Sequence, residues 1–381
     1  MLKVNHFFIS GGLILALVIL SAFLKEKKLK FTQQPTISWE SNSQQVVTAY
    51  HDTLNNDSLY LVSTIEGIPL HYFKKIITEV CFDNECRLLD ITVFWNITGR
   101  YLGFELVGDE FLSKHDHEPF VTSEYQRLNE LLADPTLPLG DISFEKLIQV
   151  PENEEDLVDG VSGATSVEVS KIVVKGAAYT TYTLWNIVYG STKSLIEQLT
   201  EKQLTPDLID LILKSPDISD KVWALHRIDQ STALNQKLTA SLLGIISESD
   251  FFLSYSALNA IKATHLNSDS LQTALFSIYS GAEHSIKDMI VEKLMEAPFL
   301  NPEVVNASRK LLINLNGQQL KNFLKLYTNF QVNDLQTCLS ISEILQNDNK
   351  YIAQQAYGFL LAHGISDPVI QNRIKLYERS K

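Results

Sequence analysis

From Gly190 to the C-terminus, apolar residues fall at helical spacing in short runs separated by polar breaks, and strand-like patterns are absent. Aligned on their inner runs, these segments recur about every 33 residues, a period typical of stacked-helix arrays. The register passes through Val222-Trp223-Ala224-Leu225, Ser256-Ala257-Leu258, Met289-Ile290-Val291, Phe323-Leu324 and Gln355-Ala356-Tyr357. One helix pair cannot bury its own apolar face, so such a period requires neighbours that stack. Thr205-Pro206 and Asn301-Pro302 read as helix starts, a capping side chain followed by proline at the first helical position. Residues 196–381 are therefore expected to form an all-α repeat domain, with an ordinary helical bundle as the alternative.

The signature residues of TPR repeats are missing from these runs, and the pattern is closer to HEAT-like repeats. Residues 31–195 have a different texture. Lys30 to Gln45 is polar and reads as a linker. Pro69 to Cys81 and Cys86 to Gly99 read as strands, rich in β-branched, aliphatic and aromatic residues. Tyr125, Leu128, Leu131 and Leu132 share one side of a helix over 125–133, which ends at Asp134-Pro135. The stretch from Asp134 to Gly140 reads as a surface loop. This domain is expected to be α+β.

Residues 1–30 hold a third element. Phe7 to Leu24 is a run of eighteen residues without a charge. As a helix it spans roughly 27 Å, enough for a hydrocarbon core. No small-x-small cleavage pattern precedes Lys25, so a transmembrane anchor is favoured over a cleaved signal. Lys25, Lys27, Lys28 and Lys30 follow the span and by charge alone would keep the body in the cytoplasm. Cys81 and Cys86 point the other way. They flank an Asp83-Asn84 turn where facing strand positions could carry a disulfide, although two half-buried thiols fit equally well. Across the 381 residues, 45 acidic side chains outnumber 32 basic ones, which excludes a nucleic-acid binder of the usual electrostatic kind.

The segment that carries chemistry is Asp159-Gly160-Val161-Ser162-Gly163-Ala164-Thr165. Gly160 and Gly163 let a loop fold back and bring backbone N–H groups close to a ligand. Thr165 and Glu168 make a T-x-x-E capping box that places a helix N-terminus at Thr165. The first-turn N–H groups and the helix dipole favour an anion there, phosphate above all. Ala164 leaves the approach to the Thr165 hydroxyl open.

The run resembles the flavinylation motif Asp-x-x-Ser/Thr-Gly-Ala-Thr of the FMN-binding domain family. That domain occurs in the C subunit of sodium-translocating NADH:quinone reductases and the G subunit of Rnf complexes. Three other stretches also resemble a branch of this family: Trp95-Asn96 with Gly99-x-Tyr101-Leu102-Gly103, Lys114-x-x-His117-x-Pro119-Phe120, and Ala178 to Trp185. The resemblance covers roughly residues 70–190 and leaves out the helical half. It implies a covalent phosphoester between FMN and Thr165, made by a separate flavin transferase that cleaves FAD. Ser162 and Gly163 would line the phosphate, and Asp159 would assist the transferase or fix the loop. It also implies attachment outside the cytoplasm. The expected protein is thus single-pass, with its body on the periplasmic side of the cytoplasmic membrane, relaying electrons between redox partners. The alternative is a helical-repeat scaffold whose α+β domain is structural or holds FMN non-covalently.

Other candidates read more plainly. His115-Asp116-His117-Glu118 is dense in ligand atoms but lacks a partner motif, so no metal site is expected. His117 would order a loop or touch the flavin. Tyr179, Tyr182, Trp185 and Tyr189 form a helical stripe, with core packing favoured over stacking on a flavin ring. Cys338 reads as a buried hydrophobe. No acid–base constellation is present that would make the chain a self-contained enzyme.

Overall fold

The computed structural model describes residues 29–38, 44–52, 57–78, 88–106, 108–114, 117–143, 171–248 and 250–380. The run from Phe7 to Leu24, the pair Cys81 and Cys86, His115 with Asp116, and the whole of Asp159–Thr165 lie outside the described residues. Among the described residues no helix is long and apolar enough to cross a membrane. The chain divides into two compact units, Met1–Gln203 and Leu204–Lys381.

The first unit is α+β. Its sheet has six strands: β1 (Leu29–Thr32), β2 (Gln45–Asp52), β3 (Asp57–Thr64), β4 (Pro69–Thr78), β5 (Leu89–Asn96) and β6 (Tyr101–Leu106). Their order is β1-β6-β5-β4-β3-β2, antiparallel throughout. β2 to β6 form a meander, and β1 closes the far edge beside β6. The strands expected over 69–81 and 86–99 are β4 and β5. The other four carry weak signals. β6 is buried at every position and β2 is exposed along most of its length, so neither alternates.

Among the described residues three helices follow, α1 (Thr122–Ala133), α2 (Ala178–Tyr189) and α3 (Ser191–Glu201). α1 buries Tyr125, Leu128, Leu131 and Leu132 as the spacing requires, and starts three residues earlier because Glu124 accepts from the Val121 N–H at 2.8 Å. The helices cover one face of the sheet. Trp95, fully buried, donates to the Val188 carbonyl at 2.9 Å, and Tyr72 bonds Thr200 at 3.2 Å. The stretch expected as a surface loop is partly inside: Pro138–Gly140 makes a short 3₁₀ turn that buries Leu139. The α3 residue Thr200 thus belongs to the sheet's core, which is why the unit runs on to Gln203.

The second unit is entirely helical: α4 (Pro206–Leu213), α5 (Ile218–Leu225), α6 (Gln236–Glu248), α7 (Phe251–Ala260), α8 (Asp269–Ile278), α9 (His284–Met295), α10 (Pro302–Arg309), α11 (Gly317–Asn329), α12 (Leu335–Glu343), α13 (Lys350–Ala362) and α14 (Pro368–Ser380). They form two layers. α5, α7, α9, α11 and α13 stack in one, and α4, α6, α8 and α10 in the other, with α12 packed on α14. The helices of the first layer begin at Ile218, Phe251, His284, Gly317 and Lys350, each 33 residues after the last.

The caps repeat with the helices. Asp217, Asp250, Asn316 and Asn349 each accept a first-turn N–H. Thr205, Asn235, Ser268, Asn301, Asp334 and Asp367 do so in the other layer. The core between layers includes the aromatic group Phe276, Tyr279, Phe323 and Tyr327, with Tyr327 bonded to Ser308 at 2.7 Å.

Candidate functional site

The residues that the sequence singles out for flavin attachment, Asp159, Gly160, Ser162, Gly163, Ala164 and Thr165, lie outside the described residues, so the site is framed here by what flanks them. Upstream, Gly140 lies against the Trp185 ring, where a Cβ would come within 3.2 Å of a ring carbon. Downstream, Arg127 donates to the Lys171 carbonyl at 2.7 Å. The Val174 N–H donates to Thr181 Oγ1 at 3.1 Å, and that hydroxyl donates to the Ala177 carbonyl at 2.9 Å. Gly176, at φ +75°, lets the backbone pass under the Lys114 side chain. Lys114 is in turn held by Glu118 at 3.1 Å and Glu124 at 3.3 Å. The chain leaving the motif is therefore pinned to α1 and α2 six residues after Thr165.

The stretches that carry the family resemblance have structural duties in this fold. Asn96 is fully buried, and its side-chain Oδ1 accepts from the Thr98 N–H, the Thr98 hydroxyl and the Arg100 N–H at 2.7–3.0 Å. It shapes the β5–β6 turn, in which Gly99 adopts φ +81° beside the Lys193 and Glu197 stems of α3. Tyr101 donates to Asn129 at 2.9 Å, tying β6 to α1. His117 stands at φ +61° between Ser113 and Pro119, which form an antiparallel bridge. Its N–H donates to the Lys114 carbonyl at 3.0 Å.

The aromatic stripe on α2 divides. Trp185 donates to the Asp134 carbonyl at 3.0 Å and Tyr189 to the Leu132 carbonyl at 2.9 Å, so both clamp the end of α1. Burial raises the Tyr189 phenol pKa well above its ordinary value, with Asp134 adding to the shift. Tyr179 and Tyr182 are half-buried. Core packing therefore accounts for the C-terminal half of the stripe.

Among the described residues, clefts lie on both faces of the sheet. One, of about 420 Å³, is lined by Asp57, Lys74, Tyr182, Asn186 and Thr192 among others. Lys74 is 3% exposed, its ammonium 2.8 Å from Asp57 and 3.3 Å from Thr192. The ion pair lets a charge sit in the sheet's inner layer. Sequence reading passed over Lys74, although a signal exists: it occupies the inward phase of β4 with Leu70, Tyr72 and Ile76, where an unpaired lysine is not tolerated.

Another cleft, of about 400 Å³, opens on the sheet face away from the helices and is lined by Lys30, Gln33, Ser38, His71, Phe94 and Leu102 among others. Burial, and secondarily Lys30, push His71 down to about 4, so it is neutral at pH 7. Tyr60 stacks on Phe73 at 5.0 Å, and Phe73 meets Phe94 at 6.1 Å, making an aromatic row beside this cleft. Among the described residues no cluster of three or more His, Cys, Asp or Glu side chains has metal-binding geometry. Cys338 is fully buried, and burial raises its thiol to about 11, which leaves it inert.

Comparisons with protein-family models, with curated proteins and with solved structures each give no match.

Proposed function

We propose that this chain is a membrane-tethered, extracytoplasmic flavoprotein that holds FMN through a phosphoester on Thr165 and relays electrons between redox partners. The observation that carries the reading is the run Asp159-Gly160-Val161-Ser162-Gly163-Ala164-Thr165, which agrees with the flavinylation motif at every position. The donor set suits the group. By its T-x-x-E pattern with Glu168, Thr165 is expected to offer a hydroxyl at a helix start, where N–H groups and dipole would stabilise phosphate, and the two glycines would let the chain come close. Ser162 and Gly163 line that phosphate, and Asp159 serves the transferase or fixes the loop. The flank from Lys171 to Ala177 is tied to α1 and α2, which supplies a fixed end for a segment that must hold its cofactor in one place. Bound FMN would supply one- and two-electron chemistry, while the chain attaches and orients it. Phe7 to Leu24 anchors the body, which lies on the side where flavin transfer takes place.

On this reading the first unit is an FMN-binding-like α+β domain and the second a HEAT-like array that presents an extended face to redox partners. The strict 33-residue helix spacing and the recurrent caps support the array. They equally favour the second reading, a scaffold whose α+β unit has a structural role.

One experiment separates the two. The chain is co-expressed with an active flavin transferase and run on a denaturing gel. The flavoprotein reading expects a fluorescent band, and Thr165→Val keeps the band but abolishes its fluorescence. Peptide mass mapping of residues 152–171 locates the label. Wild-type protein without covalent flavin would leave the scaffold reading in its place.

A further inference from the structure

The two edges of the sheet are built differently. β1 is only four residues long and carries Lys30, whose ammonium sits 5.5 Å from the Phe94 ring centre and 3.9 Å from Glu105. Pro35 follows it closely. A short, charged edge next to proline is how proteins discourage strand addition. β2 has none of these devices. It runs for eight residues in unbroken register with β3, and among the described residues it pairs with β3 alone. Gln45 to Tyr50 contain no charge, proline or glycine. Val46 and Val47, on opposite faces, are 47% and 55% exposed, so neither face of the strand is covered there.

Half the backbone N–H and C=O groups of an edge strand point away from its sheet, and an uncharged, β-branched edge favours another strand there. A second copy of β2 fits by symmetry. A two-fold axis normal to the sheet must pass through a residue position. Only then do paired side chains share a face and outward-pointing backbone groups meet each other. An axis through Ala49 would set Asp52 opposite Val46, and one through Val47 would shorten the overlap. An axis through Thr48 pairs Gln45 with His51, Val46 with Tyr50, Val47 with Ala49 and Thr48 with itself. Every pair is free of carboxylates, and a Thr–Thr pair across strands is favourable.

We propose that the chain dimerises by antiparallel β2–β2 pairing centred on Thr48, so that two six-stranded sheets become one continuous sheet.

Single cysteines placed at Val47, Thr48 and Ala49 in the full chain test the register under mild oxidation. Facing Cα atoms across an antiparallel pair lie about 4.5–5.5 Å apart, within disulfide reach. Thr48→Cys should give a cross-linked dimer about tenfold more abundantly than Val47→Cys, Ala49→Cys or the unsubstituted chain with its own three cysteines. Val47→Cys combined with Ala49→Cys should restore it, because those positions face each other. Thr48→Lys sets two ammonium groups opposite one another and should raise the dimer dissociation constant at least about tenfold in sedimentation. Ile65→Lys, on the exposed β3–β4 turn, should leave it unchanged. Absence of the Thr48→Cys dimer, equal cross-linking at all three positions, or a dimer indifferent to Thr48→Lys overturns the proposal. The first of these is also what an edge reserved for a strand of another protein would give.

Discussion

The two units cover their apolar faces with contacts of very different reach along the chain. In the first, the bonds that hold helices to sheet join residues far apart: Trp95 to Val188 spans 93 positions and Tyr72 to Thr200 spans 128. In the second, the polar side chains that link neighbouring repeats are about one period apart. Asn301 reaches Asp269 across 32 residues, Asn322 reaches Asp288 across 34, and Arg373 reaches Ser342 across 31. Each helix pair of the array meets only its neighbours, so its rules are local and recur. The sheet unit must close loops of very different length before any of its core exists, and β1 pairs with the strand most distant from it in the meander.

Breaking a core residue in each unit gives the largest expected effects. Trp95→Ala removes a fully buried indole and strands the Val188 carbonyl, at a cost of about 3–5 kcal/mol. Phe323→Ala removes the ring that touches Phe276, Tyr279 and Tyr327, with a loss of about the same size. The consequences should differ in extent. Hydrogen exchange resolved by peptide should show Trp95→Ala loosening all of β3 to β6 together with α2. Phe323→Ala should loosen α9, α11 and α13 most, and α4 and α5 least, because coupling in an array passes between nearest neighbours. Uniform loss of protection across the helical unit would erase the distinction between the two.

That difference in reach also decided how much could be read in advance. The inner helices were legible because α5, α7, α9, α11 and α13 repeat one register, and each copy reinforces the others. α1 was legible because its four buried residues fall on one stripe that ends at a proline. Four strands were not. β1 is four residues long, β2 lies exposed at an edge, β6 is buried on both faces, and β3 alternates only in part. Period-two reasoning needs one wet face and one dry face, which only β4 and, in part, β5 supply. The flavin motif is a different case. As a resemblance it rests on a local chemical pattern, Asp159 to Thr165, that can be proposed without any knowledge of the sheet, whereas Lys74 and His71 acquire their settings only from residues distant in sequence.

His71 tests whether the sheet unit carries titration that the array does not. Its folded value of about 4 lies below the ordinary 6.5, so protons bind the unfolded chain first as pH falls. Stability from this group is complete above about 6.5 and drains away as pH drops towards 4, by about 2–3 kcal/mol in all. Urea unfolding of wild type and His71→Gln at pH 7 and pH 4.5 measures it. The wild type should lose about 2 kcal/mol more than the variant over that interval. Equal losses would mean the imidazole is already charged in the fold.

The smallest effect is the sharpest test of the repeat. At the position before each helix of the first layer stand Asp217, Asp250, Glu283, Asn316 and Asn349. Four of them cap the helix with a side-chain oxygen, and Glu283 does not. Its backbone is ready for the task, at φ −65° and ψ 160°, close to the −63° and 167° of the capping Asp250. The extra methylene of glutamate carries the carboxylate past the first-turn N–H groups. Glu283→Asp shortens the side chain by that methylene at constant charge, and should stabilise the array by about 0.5–1 kcal/mol. Asp250→Ala should cost about 1 kcal/mol at the equivalent place. Thermal unfolding of the two variants and their combination should show additive shifts of opposite sign, since the sites sit in successive repeats and share no side-chain partner. A neutral or destabilising Glu283→Asp would show that α9 begins by a rule of its own, and that the 33-residue repeat is one of helix placement without being one of helix capping.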